Sequence, residues 1–147
     1  MQKLGNEKPV FGCILAIFLF FAAFSPVATA LEIVVNKSVP VSEYTTADIR
    51  AIFTMKKTSW PNHKQIRVYT LPDNNPVHKE FVKGHLHMFV HQLRKIWDRL
   101  TFSGTGTAPI ELDSESEMLD KIVHTPDSIG YLSGKPDDEN IQLFESR

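Results

Sequence analysis

Apolar and polar positions alternate between two rhythms along this chain. Leu31-Glu-Ile-Val-Val35 is a short β-rich run and predicts a buried strand. Thr45 and Asp48 have the spacing of a capping box, in which each side chain satisfies the other's free backbone N–H, and Ile49, Ile52 and Phe53 then share one helix face. A polar connector from Lys56 to Lys64 holds Trp60-Pro61-Asn62. Ile66, Val68 and Thr70 alternate with Arg67, Tyr69 and Leu71, the period of a second strand. Pro72 to Asn75 is a turn cluster that places Asn75 as N-cap and Pro76 as first residue of a helix running to about His85.

Gly84 to His87 predicts a break or bend. Phe89, Leu93, Ile96, Trp97 and Leu100 then form one continuous apolar stripe at helical spacing, stopped by Gly104-Thr-Gly-Thr107. Pro109 to Leu112 reads as a short strand. Ser114 and Glu117 form a second capping-box pair ahead of Met118, Leu119, Ile122 and Val123, and Pro126 bars continuation of that helix. Ile129-Gly-Tyr-Leu132 and the alternation at Ile141 and Leu143 supply the last strands. The resulting order, β-α-β-α-α-β-α-β-β, predicts an α/β fold with a sheet flanked by helices.

The first thirty residues follow a different logic. Lys3 and Lys8 precede an uncharged apolar run from Val10 to Phe24, and Ala28-Thr29-Ala30 follows. These are the three parts of a secretory signal peptide, and the run is shorter than the roughly 20 apolar residues that span a bilayer. Residues 1–30 are therefore expected to be a cleaved signal and residues 31–147 one domain, with no stable membrane anchor after cleavage. Cys13, the only cysteine, leaves with the signal, so the exported chain is expected to hold no disulfide and no thiol chemistry. Over all 147 residues the formal net charge is −1, which gives no general pull toward nucleic acid, and no nucleic-acid partner is expected.

Candidate chemistry is sparse. His78, His85, His87 and His91 cluster, and His87 and His91 have the i, i+4 spacing that places two imidazoles on one helix face. No Glu stands between them in the H-E-x-x-H manner, so no metal site is assigned, though a metal carrier remains an alternative. Gly104-Thr-Gly-Thr107 has the glycines of a phosphate cradle but lacks the Lys and the opening helix of a P-loop. No catalytic constellation and no cofactor motif is present, and the chain is expected not to be an enzyme. The segment Asp73-Asn-Asn-Pro76 leads from a strand into a helix start, where free N–H groups and the helix dipole favour an anion. Asp73, Asn74, Asn75, Val77 and His78 are thus the candidate anion-binding residues.

From Ile33 to Tyr131 the chain resembles one lobe of the periplasmic phosphate-binding proteins of ABC transporters. Ile33-Val-Val-Asn36, Thr45 to Phe53, Trp60-Pro-Asn62, Ile66 to Phe81, Trp97 with Phe102-Ser-Gly104, and Thr125-Pro126 with Ile129-Gly-Tyr131 carry the resemblance in order and spacing. It implies a single type II periplasmic-binding-protein-like lobe with a mixed sheet. It also implies periplasmic localisation, phosphate or another oxyanion as ligand, and an ABC permease or another periplasmic protein as partner. The ligand loop departs from the family pattern. Leu71 stands where the family has Arg, Asp73 matches its acid, and Asn75-Pro76-Val77 replaces Ser-Gly-Thr. His63 occupies a turn position where the family usually has Gly. The expectation is a non-enzymatic binding-protein-like domain with a degraded anion site; the alternative is a protein-interaction module that has lost ligand binding.

Overall fold

The computed structural model describes residues 30–40 and 44–144. The expected signal segment lies outside the described residues, apart from Ala30. The strands are β1 (Leu31–Asn36), β2 (Arg67–Thr70), β3 (Ile110–Glu111), β4 (Ser128–Ser133) and β5 (Ile141–Leu143). The helices are α1 (Thr46–Phe53), α2 (Pro76–Gly84), α3 (Val90–Ser103) and α4 (Glu115–His124). The alternation inferred from the hydrophobic pattern is the one observed. The five strands form one mixed sheet in the order β3-β2-β4-β1-β5. β2 is parallel to β3 and β4, whereas β1 is antiparallel to β4 and β5.

β1 and β4 lie inside the sheet and are buried on both faces, which explains their continuous apolar runs. The same holds for β2. The alternation expected there gives way because Tyr69 and Leu71 are buried along with Val68 and Thr70, and only Arg67 is exposed. Successive residues on β4 assign the layers. A Cβ on Gly130 would come within 2.8 Å of both Ile122 Cδ1 and Met118 Sδ, so the bare backbone there lets α4 pack on one face. Tyr131 points the other way and stacks on Phe81 of α2, at 4.0 Å between ring centroids. Phe53 of α1 joins this second layer edge-on to Phe81, and Trp97 of α3 donates its indole N–H to the Phe53 carbonyl at 2.9 Å.

Local chemistry sets the helix ends. Thr45 and Asp48 close the expected capping box, each accepting from the other's backbone N–H. Ser114 caps α4 by accepting from Glu117 N–H, but the Glu117 carboxylate accepts from Asp113 N–H, so only half of the second box forms. Gly104 ends α3 in the left-handed region at φ 66°, so the glycine-threonine run is a helix stop, with the amides of Thr105 and Gly106 turned back onto Leu100 O. The α3 stripe needs one correction. Leu93 and Trp97 are buried, but Phe89 is the N-cap, with extended backbone, and its ring is 64% exposed. Trp60, inside the polar connector, is also buried, and its indole N–H donates to Asp127 O at 3.0 Å. His63 turns the connector at φ 62°, in the left-handed region that glycine adopts most readily.

Candidate functional site

The candidate residues gather where β2 runs into α2. Asn75 N–H donates to Pro72 O at 2.9 Å, closing the turn that the Pro-Asp-Asn-Asn composition favours. Asn75 then caps α2, its Oδ1 accepting from Val77 N–H at 2.8 Å and His78 N–H at 3.4 Å. Pro76 has no N–H. The amides that a helix start could offer to a ligand are therefore engaged by the Asn75 side chain of the same turn.

Asp73 sits beside this cap and is held from outside the loop. Arg94 of α3 grips it with two hydrogen bonds, Nε to Oδ2 at 2.9 Å and Nη2 to Oδ1 at 2.7 Å. The same Nη2 donates to Glu111 Oε2 of β3 at 2.8 Å, and the guanidinium lies 5.1 Å from the Trp97 ring centroid. Hydrogen bonding to Asp73, followed by that to Glu111, raises the Arg94 pKa above its ordinary value against the cost of partial burial. Two carboxylates share one guanidinium, which leaves this rim with a formal charge of −1.

Behind the rim is a buried polar network. His78 is fully buried, and its Nδ1 lies 2.6 Å from Tyr131 Oη. Tyr131 Oη accepts from Leu71 N–H at 2.9 Å and lies 3.1 Å from Thr70 Oγ1. With Tyr131 donating its hydroxyl proton to Nδ1, the neutral imidazole carries its own proton on Nε2. Nε2 has no hydrogen-bond partner among the described residues and faces Asp73 Oδ1 at 3.8 Å. Burial lowers the His78 pKa to about 4, against the opposing pull of Asp73, so the ring is neutral at pH 7. Burial also pushes the Tyr131 hydroxyl well above its ordinary range.

Asp73, Asn75, Val77 and His78 therefore come together, while Asn74 is exposed beside them. Arg94, Glu111, Thr70 and Tyr131 complete the cluster and carry no signal in the pattern of the loop itself. An arginine does reach Asp73 even though Leu71 replaces the one expected in the loop, but it comes from α3. The other histidines disperse. His87 is in a left-handed turn at φ 51° ahead of α3, so it shares no helix face with His91, whose ring stacks on Phe89. Among the described residues no group of three metal-ligating side chains converges.

This sheet order and its helices have counterparts in solved structures. An ABC-type phosphate transport receptor from Vibrio cholerae matches 79% of this chain and 45% of its own, at 18% identity and a TM-score of 0.60. A phosphate ABC transporter substrate-binding protein from Clostridium perfringens, solved with bound phosphate, matches 79% of this chain and 44% of its own, at 18% identity and a TM-score of 0.63. The chain has the fold of a phosphate-receptor lobe. PstS from Borrelia burgdorferi matches 70% of this chain and 40% of its own, at 15% identity and a TM-score of 0.51. The chain thus spans less than half the length of each of these proteins. No protein-family model and no curated protein sequence matches it. Among its described residues no helix is long and apolar enough to cross a membrane.

Proposed function

We propose that this chain is an exported, non-enzymatic binding-protein-like lobe whose anion site is closed from within. It works by contact with another protein, an ABC permease or another periplasmic component, and not by carrying phosphate. The observation that carries this reading is the Asn75 cap, whose Oδ1 already accepts from Val77 and His78 N–H. An incoming phosphate would have to displace that cap, forfeiting about 1 kcal/mol of helix stability, and would gain no donor from Pro76.

Electrostatics point the same way. Asp73 and Glu111 outnumber Arg94, and His78 is neutral at pH 7, so a phosphate dianion would meet net negative charge. The expected affinity of the exported chain for phosphate is a Kd no tighter than about 1 mM, roughly −4 kcal/mol. Isothermal calorimetry with inorganic phosphate tests this. Heat below detection at about 0.1 mM phosphate supports the reading. Micromolar binding would overturn it and restore the role of a phosphate-transport component.

A further inference from the structure

A largely apolar trough in two parts lies on the face built by α1, α2 and α3, its first part reaching Asp73 beside the Asn75 cap. One part, of about 510 Å³, is floored by Met88, Phe89 and Val90 and edged by Lys79 and Lys83 of α2. A second part, of about 280 Å³, runs between α1 and α3 over Ala47, Ala51 and Ile96 and is edged by Arg50 and Lys56. Met88 lines both parts. Phe89 is the aromatic centre of this face, 64% exposed and held flat against His91 at 5.7 Å between centroids.

The charge around the trough is one-sided. None of Lys79, Lys83, Arg50 and Lys56 pairs with a carboxylate among the described residues. Asp73, the acid that touches the trough, is held by Arg94. Four cations therefore edge an apolar floor in a chain whose formal net charge is −1. A floor of this kind gains from burying side chains, and its edge selects the sign of whatever brings them.

We propose that this trough is a docking site for an acidic, amphipathic segment of another protein, one that presents apolar side chains between carboxylates. The proposal rests on the protein-contact reading above and names the surface through which it operates. A second copy of the chain fits less well. Its acidic stretch Asp137-Asp138-Glu139 carries no exposed large apolar side chain to fill the floor; those described are Phe89, Phe102 and Ile110.

The test uses the exported chain and a fluorescent synthetic peptide of about 18 residues, five helical turns, with Leu at helical i, i+3, i+4 spacing and Glu elsewhere. Fluorescence anisotropy is expected to show saturable binding that weakens as salt rises from about 0.03 to 0.3 M. Lys79→Glu with Lys83→Glu is expected to weaken it at least about tenfold, and Phe89→Ala at least about threefold. All three positions are exposed, so circular dichroism should match the parent for each variant. A peptide with Lys in place of Glu should not bind. No saturable binding, equal binding of the Lys peptide, or an unchanged affinity in the double variant would overturn the proposal. So would concentration-dependent self-association that Phe89→Ala abolishes, because it would make a second copy the occupant. Phosphate calorimetry run alongside separates the two readings. Silent phosphate with no peptide binding removes the docking surface alone, whereas micromolar phosphate binding removes the protein-contact reading itself.

Discussion

Acidification should destabilise this fold well above the range in which carboxylates titrate, and His78 is the reason. The imidazole is fully buried with Nδ1 2.6 Å from Tyr131 Oη, and burial holds its pKa at about 4 in the folded chain. In the unfolded chain the same ring titrates near 6.5. A depressed folded pKa means the unfolded state binds the extra proton first. Its stabilising contribution is therefore present above about pH 6.5 and is lost as pH falls toward 4. The two pKa values give a loss of about 2 kcal/mol by pH 5 and about 3 kcal/mol by pH 4. Burial also lowers the His85 pKa, which adds to the same window with the same sign. Asp48 is held near 2 by Lys57 and Thr45, so its contribution is lost only below the ordinary carboxylate pKa of about 3.9.

Urea unfolding of the exported chain at a series of pH values measures this directly. With a slope of about 1–2 kcal/mol per M, the midpoint should fall by about 1–2 M between pH 7 and pH 5. His78→Gln should be less stable at pH 7 yet lose most of that pH dependence, whereas His85→Gln should keep most of it. A wild-type midpoint that stays flat from pH 7 to pH 5, or an undiminished slope in His78→Gln, would refute the buried-imidazole argument.

Other consequences are simpler to check. Trp97→Ala removes a buried indole and its hydrogen bond to Phe53 O, and should cost about 3–5 kcal/mol in the same unfolding assay. Gly130→Ala should cost about 1–3 kcal/mol, because the new methyl meets Met118 Sδ and Ile122 Cδ1 at 2.8 Å and both side-chain ends must repack inside a filled core. If the sequence is exported as expected, mass spectrometry of periplasmic protein should find a chain beginning at Leu31; a full-length species retained in the inner membrane would contradict the cleavage expectation.

Much of this architecture is local and could be read locally. The Thr45–Asp48 box, the Asn75-Pro76 start and the Gly104 stop are set by residues within a few positions of one another, and each helix boundary follows. Phe89 shows where local reading fails. It has the spacing of the α3 stripe, but spacing does not reveal that its own backbone is extended at the cap and turns the ring out of the core. The candidate site divides the same way. The loop and its cap were legible, because the side chain and the amides it engages are adjacent. Arg94 reaches Asp73 from 21 positions away and Tyr131 reaches His78 from 53, contacts that only the sheet and helix packing create. Leu71 could be read as standing where the resemblance places an arginine, but the guanidinium that reaches Asp73 from α3 could not.

The start of α2 is already satisfied by its own Asn75. The most direct measurement is a residue-resolved one, a phosphate titration of the ¹⁵N-labelled exported chain followed at the Val77 and His78 amides. Neither resonance is expected to move in a saturable way below about 1 mM phosphate. Saturable shifts of both amides at micromolar phosphate would mean that the anion displaces Asn75 Oδ1, and the closed-site reading would be wrong.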